Sequence, residues 1–395
     1  MKYKKTITAC YIGYIVQAIV NNFAPLLFVT FQAEYALPVS KITALISVNF
    51  TVQLTVDLLS AKLVDKLGYR KCLIAAHVFA FAGLCMLAVL PDVIGNSFAG
   101  LLISVITYAV GGGLIEVLIS PVLEACPTEQ KEKQMSLLHS FYCWGHVGVV
   151  LISTVFFSCF GVLHWKVISI IWSVVPVINI ILFSVCPLYP IVPEGERKAS
   201  LSELFTNRVF WILFLMMFCA GASELTVSQW ASAFAERGLG VSKTVGDIAG
   251  PMAFASLMGI SRLIYGKLGD KIDLEKFMIF SSLLCVVSYL VIGLSPSPAA
   301  SLAACAVCGF SVGIMWPGTF SRASAEIRGG GTAMFALFAL AGDLGCAGGP
   351  YIAGSVADSF GGDLKRGLLC ASVFPSIVVI CVILMMYLRK RRIIK

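Results

Sequence analysis

Nine ionisable side chains lie inside long apolar runs of this 395-residue chain: Asp57, His77, Glu116, His139, His146, Glu224, Asp247, Arg262 and Asp343. An ionisable group at bilayer depth costs at least roughly 2.5–3.5 kcal/mol on insertion scales, so each needs a partner, a wet cavity or a task. Carboxylates and imidazoles placed there can carry protons, and they can hold the hydroxyl or amine of a polar solute. Glu116 stands in GGGLIEVLISPVLEA (111–125), flanked by Gly111, Gly112, Gly113 and Pro121. Glycines let helices approach closely in lipid and proline kinks them. His139 falls on the next apolar run at a depth within about 5 Å of Glu116, at 1.5 Å per helical residue, so a direct or water-bridged pair is an expectation. The other reading of Glu116 is a buried carboxyl hydrogen-bonded to a neighbouring helix. Asp57 and Arg262 sit near one set of run ends, where gating is expected, and Asp247 near the opposite end, where water can reach it. His77 reads as a satisfied structural histidine.

The elements that must position these groups are membrane helices. The chain is 58% hydrophobic and 13% charged, with a mean hydropathy of +0.91, against about 25% charged for soluble domains. Apolar runs long enough to span a bilayer occur at roughly 6–31, 41–64, 72–91, 97–124, 134–160, 165–186, 209–236, 242–268, 277–295, 299–323, 331–358 and 364–388. The fold class is therefore an all-α membrane protein with twelve spans. The net charge of +8 resides in short loops, where it sets topology and does not imply nucleic acid. With both termini in the cytoplasm, 22 of the 29 Lys and Arg fall on the inner side, six on the outer side, and Arg262 in a span. The basic MKYKK start is expected to precede a retained first span, since no clear cleavage site follows. The fourteen cysteines are scattered as small apolar fillers, and the Cys305/Cys308 pair in AACAVCGF carries no metal or redox expectation.

The longest loop divides the chain into an N-terminal six-helix bundle (1–186), a cytoplasmic linker (187–208) and a C-terminal six-helix bundle (209–395). The halves repeat. AKLVDKLGYRK (61–71) is similar to GKLGDKIDLEK (266–276), which sets Asp65 against Asp270 and Asp57 against Arg262, each 205 residues apart. VSK recurs at 39–41 and 241–243, and WGHVG (144–148) matches LGCAG (344–348) in its glycines. Two similar six-helix halves are how many secondary transporters are built, with a solute site near the midplane.

The loop after span two resembles that of the major facilitator superfamily, G-x-x-x-D-[RK]-x-G-[RK]-[RK], through Asp65, Lys66, Gly68, Arg70 and Lys71, with Ala61 in place of the first glycine. The resemblance runs over the whole chain and implies two pseudo-symmetric six-helix bundles, the major facilitator fold. Physically, Gly68 makes a tight turn and Asp65 can cap a neighbouring helix N-terminus, where negative charge is favoured. Asp57, Asp65, Gly68, Arg70, Arg262 and Asp270 then form a gating group; the plainer reading of the loop is a topology signal. The stretches GGGLIEVLISP and QMSLLHSFYCWG are similar to spans four and five of the fucose–galactose–glucose proton symporter group, and IVNNFAPLLFVTFQ to its span one. Two departures stand out: Pro25 where that group carries an aspartate, and Ser120 where it carries an asparagine before the span-four proline.

That resemblance implies that spans one, four, seven and ten line a cavity, that Glu116 falls on a proton-coupling carboxylate and that His139 falls on a polar site residue. The proton-coupling candidates are Glu116, His139, Glu224 and Asp343. The substrate-binding candidates are Asn21, Asn22, Glu116, His139, Tyr142, His146, Glu224, Gln229, Trp230 and Trp316. Asn21 and Asn22 match Ser223 and Glu224 at a spacing of 202. Aromatic faces with amides and carboxylates suit a sugar, because rings stack on C–H faces while hydroxyls need fixed donors and acceptors; packing alone is the other reading of each tryptophan. The expectation is a monomeric secondary transporter in the cell (inner) membrane, working by alternating access, with proton-coupled uptake of a small polar solute such as a monosaccharide. The alternative is an uncoupled facilitator or a drug or metabolite exporter. No cofactor beyond the proton gradient and no metal is expected. No P-loop, metal-ligand spacing or Ser/His/Asp set suggests an enzyme or a pump, and no signalling domain suggests a receptor.

Overall fold

The structure is a computed structural model that describes residues 3–37, 39–191, 199–233 and 248–394. Twelve long helices organise it. They are α1 (Tyr3–Asn22), α2 (Val39–Leu67), α3 (Tyr69–Val93), α4 (Ser97–Glu124), α5 (Lys131–Phe160), α6 (Trp165–Val185), α7 (Arg208–Ala233), α8 (Ala253–Leu268), α9 (Leu274–Leu294), α10 (Pro298–Glu326, broken after Val312), α11 (Gly331–Ser359) and α12 (Val373–Ile394, preceded by the short helix Leu364–Cys370). No strand occurs among the described residues. In lipid a spanning segment must satisfy its backbone polar groups without water, and a long helix satisfies most of them internally.

Ten of these elements are long and apolar enough to cross a membrane. The other two complete the expected twelve: α2 carries Lys41, Asp57, Lys62, Asp65 and Lys66, which lower its hydropathy, and α8 is a 16-residue helix that follows a π-helical turn at Ile248–Met252. Asp247, expected near the outer end of span eight, lies outside the described residues. α1 stops at Asn22, and a 3₁₀ turn, Ala24–Leu27, follows with Pro25 as its second residue. A proline has no N–H to continue the helical ladder.

α6 shows how sequence becomes orientation. Ile168, Ser169, Trp172, Ser173, Pro176, Asn179 and Phe183 are buried, while Val167, Ile170, Ile171, Val174, Ile178, Ile181 and Val185 are exposed. Both sets recur at helical spacing, and the outer one is wholly apolar. A stripe of that kind on a water-facing surface would be a liability; against acyl chains it is at home.

The chain groups into two compact units. The first comprises Met1–Thr128, Phe141–Glu196 and Gly331–Ala336; the second comprises Glu129–Ser140, Arg197–Gly330 and Leu337–Lys395. The first residues of α5 thus pack with the second unit, and the first residues of α11 with the first. Small residues set the helix approaches within each. In the first, Gly83 abuts Tyr108, and in the second, Gly345 abuts the Phe218 carbonyl and Gly309 that of Phe254.

The start of α3 is tied to the end of α6. Gly68 has φ +89°, a conformation that other residues resist, and it starts α3. Arg70 then reaches the end of α6, donating to the carbonyls of Phe183, Ser184 and Cys186. These are carbonyls that a helix C-terminus leaves without intrahelical donors. A guanidinium can fork across them and a lysine cannot. Arg70→Lys is therefore expected to lower the unfolding free energy by about 1–2 kcal/mol, read as a fall in the melting temperature of detergent-purified protein, while Lys71→Arg leaves it unchanged.

Candidate transport site

In the first unit the three glycines of α4 face different neighbours. A Cβ at Gly111 would lie 2.6 Å from the Ala76 carbonyl and 2.7 Å from the Ala80 nitrogen of α3. One at Gly112 would meet Val20, the Gln53 amide at 3.5 Å and the Asn21 Oδ1 at 3.7 Å, and one at Gly113 would meet Val56 and Gln53 of α2. The glycines therefore bring α1, α2 and α3 onto α4 where Glu116 stands. Gln17 Nε2 donates to Glu116 Oε2 at 2.7 Å, and Gln53 Nε2 donates to Asn21 Oδ1 at 2.8 Å. Tyr14 and Ser120 join hydroxyls at 2.9 Å. Asn22 turns back to the Ala18 carbonyl of its own helix. Tyr142 and His146 are half-buried on the part of α5 that belongs to this unit.

His77 is fully buried, with Nδ1 at 2.7 Å from the Leu73 carbonyl and Nε2 at 2.7 Å from Asn179 Nδ2. A carbonyl only accepts, so the proton sits on Nδ1 and Nε2 accepts from the amide. Asn179 also donates to the Ala9 carbonyl. This histidine ties α1, α3 and α6 together.

In the second unit the chemistry gathers at Arg262. Its NH2 meets Glu224 Oε2 of α7 at 3.1 Å, its Nε donates to the Gly313 carbonyl at 2.9 Å, and its NH1 donates to the His139 carbonyl at 3.3 Å. Its own carbonyl accepts from Ser136. The Gly313 carbonyl is available for a simple reason: its helical donor four residues on would be Pro317, which has no N–H. That gap coincides with the break in α10 after Val312. Arg262 is 3% exposed, and removing one partner of such a buried pair costs about 3–5 kcal/mol.

Near this pair, the His139 ring lies 6.0 Å from Phe320, which in turn packs against Trp316. Trp316 lies on Gly342, beside which Asp343 is half-buried on α11. Trp230 donates its indole N–H to the Pro350 carbonyl at 3.0 Å and packs on Gly354, and Gln229 is exposed. Of the gating group, Asp57 is fully buried, Asp65 accepts from Thr332 at the start of α11 and from Tyr69, and Asp270 pairs with Lys133.

Three contributors went unnoticed in the sequence: Gln17, Gln53 and the Tyr14 hydroxyl. The signal was present. Gln17 and Asn21 stand four apart, as do Asn49, Gln53 and Asp57, and such residues share a helix face. Neutral amides barely lower a hydropathy average, so a search for charges passes over them.

The family profile of the Major Facilitator Superfamily matches residues 10–350. The chain belongs to the Major Facilitator Superfamily. Among curated relatives of this facilitator, the membrane protein MosC of Rhizobium meliloti is 26% identical over 287 residues, which are 69% of this chain and 67% of that protein. Among solved structures, the fucose:proton symporter FucP of E. coli aligns with a TM-score of 0.83 at 15% identity, covering 97% of this chain and 98% of that one. The proton:xylose symporter XylE, bound to 6-bromo-6-deoxy-D-glucose, aligns with a TM-score of 0.82 at 12% identity, covering 97% and 95%. At these identities the likeness is one of fold. The chain is accordingly a multi-pass membrane transporter and not an enzyme.

Proposed function

We propose that this facilitator takes up a small neutral polyhydroxylated solute, most simply a monosaccharide, together with a proton bound at Glu116. The observation that carries this reading is the Gln17–Glu116 hydrogen bond. Gln17 is 4% exposed, its Nε2 donates to the carboxylate, and its Oε1 is buried with no hydrogen-bond partner among the described residues. An amide holds a donor and an acceptor in one plane. By flipping it can serve the carboxylate as donor and the carboxylic acid as acceptor, so Glu116 can change protonation without losing this partner. The second amide pair, Gln53 with Asn21, stands beside Gly112 on the same helix and offers fixed groups for solute hydroxyls. FucP and XylE, whose fold this chain shares, are named as sugar:proton symporters, which supports the choice of solute. We place the termini in the cytoplasm, the molecule in the cell membrane, and one chain as the working unit.

The test is a proton-flux measurement. Purified protein is reconstituted in weakly buffered liposomes and challenged with hexoses, pentoses, deoxysugars, cyclitols and amino sugars in turn. At least one neutral polyol is expected to alkalinise the outer medium and to be taken up in proportion. Uptake without proton movement would leave a facilitator, and a response confined to bulky cations would leave a drug exporter; either result overturns the proposal.

A further inference from the structure

Tyr14, Gln17 and Asn21 are spaced by three and four residues on α1, and Ser120, Glu116 and Gly112 by four on α4. Residues so spaced share a helix face. The two faces run antiparallel and meet in rungs. The Tyr14 and Ser120 hydroxyls stand 2.9 Å apart, Gln17 donates to Glu116 at 2.7 Å, and Asn21 lies beside Gly112. The Tyr14–Ser120 rung lies one helical turn, about 6 Å, from Glu116 toward the end of α4 at Glu124, the end that we place in the cytoplasm. It is a pair of hydroxyls, and a hydroxyl both donates and accepts. We propose that Tyr14 and Ser120 are the relay through which the proton on Glu116 leaves toward the cytoplasm. This inference rests on the proton-bound reading of Glu116 above and names the route that the proton takes from it.

What surrounds the rung leaves the hydroxyls as the route. Cys10, Ile119 and Leu123 are fully buried, and so is Ser120. Gly13, next to Tyr14, is so close to α4 that a Cβ on it would lie 2.7 Å from Ile119 Cδ1. Helices packed this closely through apolar side chains leave little room for a column of water, so a proton crossing that level travels on side chains. Pro121 supplies the link from Glu116. It has no N–H, so the Val117 carbonyl lacks its donor four residues on. That carbonyl is one residue from Glu116 and offers a fixed acceptor for a water molecule that the Glu116 carboxyl and the Tyr14 hydroxyl can also bond; several polar partners are what a buried water needs. The transfer balances at each step. Glu116 gives its proton to that water, and the water gives one of its own to Tyr14 Oη. Tyr14 gives its hydroxyl proton to Ser120 Oγ, and Ser120 gives its own to water at the inner end, where Glu124 stands half-buried. Every O–H bond formed is matched by one broken, both hydroxyls end neutral, and Glu116 is left a carboxylate facing the Gln17 donor. The serine decides the matter: the asparagine that the fucose–galactose–glucose group carries here has no O–H to pass on.

The test needs no solute. The carboxylic-acid infrared band of Glu116, identified as the band that Glu116→Gln removes, is followed after a jump from acid to alkaline pH on purified full-length protein. Its decay is expected to be about tenfold or more slower in Ser120→Ala and in Tyr14→Phe than in wild type, with a larger solvent deuterium isotope effect. Ser120→Thr, which keeps the hydroxyl, should restore the wild-type rate. Ser120→Asn keeps a partner for the Tyr14 hydroxyl but has no O–H to hand on, so it should stay slow. Decay as fast as wild type in Ser120→Ala and Tyr14→Phe overturns the relay. So does a wild-type rate in Ser120→Asn, which would make the rung a structural contact. A slowing confined to Tyr142→Phe or His146→Asn on α5 puts the route elsewhere and overturns it too. A wild type that lacks the band at acid pH instead removes the proton from Glu116 and refutes the reading on which the relay stands, so the two failures are told apart.

Discussion

Glu116→Gln is expected to reduce solute accumulation driven by a pH gradient to the equilibrium level, while exchange of labelled for unlabelled solute continues at a rate within a few-fold of wild type. The substitution keeps size and hydrogen-bonding shape and removes the one property that matters for coupling, the ability to exist with and without a proton. Gln17 can pair with an amide at 116 as it does with the carboxylate, so the α1–α4 contact at 2.7 Å has a substitute. A gradient of one pH unit is worth about 1.4 kcal/mol, or about tenfold accumulation for each coupled proton, so the loss is large against the error of a liposome uptake assay. The paired measurement discriminates. Loss of both accumulation and exchange would make Glu116 a solute ligand or a structural group. Retention of pH-driven accumulation would sink the coupling role outright.

The second large effect is on stability. Gly111→Val should lower the unfolding free energy by about 1–3 kcal/mol or more and reduce the yield of monodisperse protein. The reason is the 2.6 Å gap between the missing Cβ and the Ala76 carbonyl, and the 2.7 Å gap to the Ala80 nitrogen. These are backbone atoms, so no flexible side chain can give way and α3 must move bodily. Gly148→Ala is the control, since a Cβ there meets nothing within 4 Å. A thermal-unfolding midpoint for Gly111→Val equal to that of the control would show that the α3–α4 contact is looser than it stands here.

Much of the fold was legible because bilayer chemistry is strict. A span must be apolar for its full length, so α4 (Ser97–Glu124) and α11 (Gly331–Ser359) differ from the expected 97–124 and 331–358 by at most a residue. Gly68, expected to make a tight turn, takes positive φ, whereas the first span, expected to run 6–31, stops as a regular α-helix at Asn22, three residues before Pro25. The pairing of side chains was not legible in the same way. Glu224 and Arg262 were both singled out, one for solute or proton and the other for gating, and their ion pair belongs to neither expectation. Whether two helices turn given residues toward each other depends on their rotation and crossing, which spacing along either one does not encode. The clue that could have linked them is local: the Gly313–Pro317 spacing leaves a carbonyl in need of a donor, and Arg262 is a donor in a neighbouring span. Trp230 teaches the same lesson, since its indole N–H serves the Pro350 carbonyl, a partner 120 residues away that no periodicity announces.

The end of α6 bears on how the molecule is made. Its last carbonyls are held by Arg70, and Pro187 just beyond accepts from the Thr6 hydroxyl. Every one of those donors lies upstream. During synthesis, Thr6 and Arg70 have left the ribosome long before Cys186 and Pro187 emerge. These hydrogen bonds at the end of the sixth span therefore need no donor made after it. Chains fold N-terminal part first as they are made, and this fastening draws only on donors that precede the end of the sixth span.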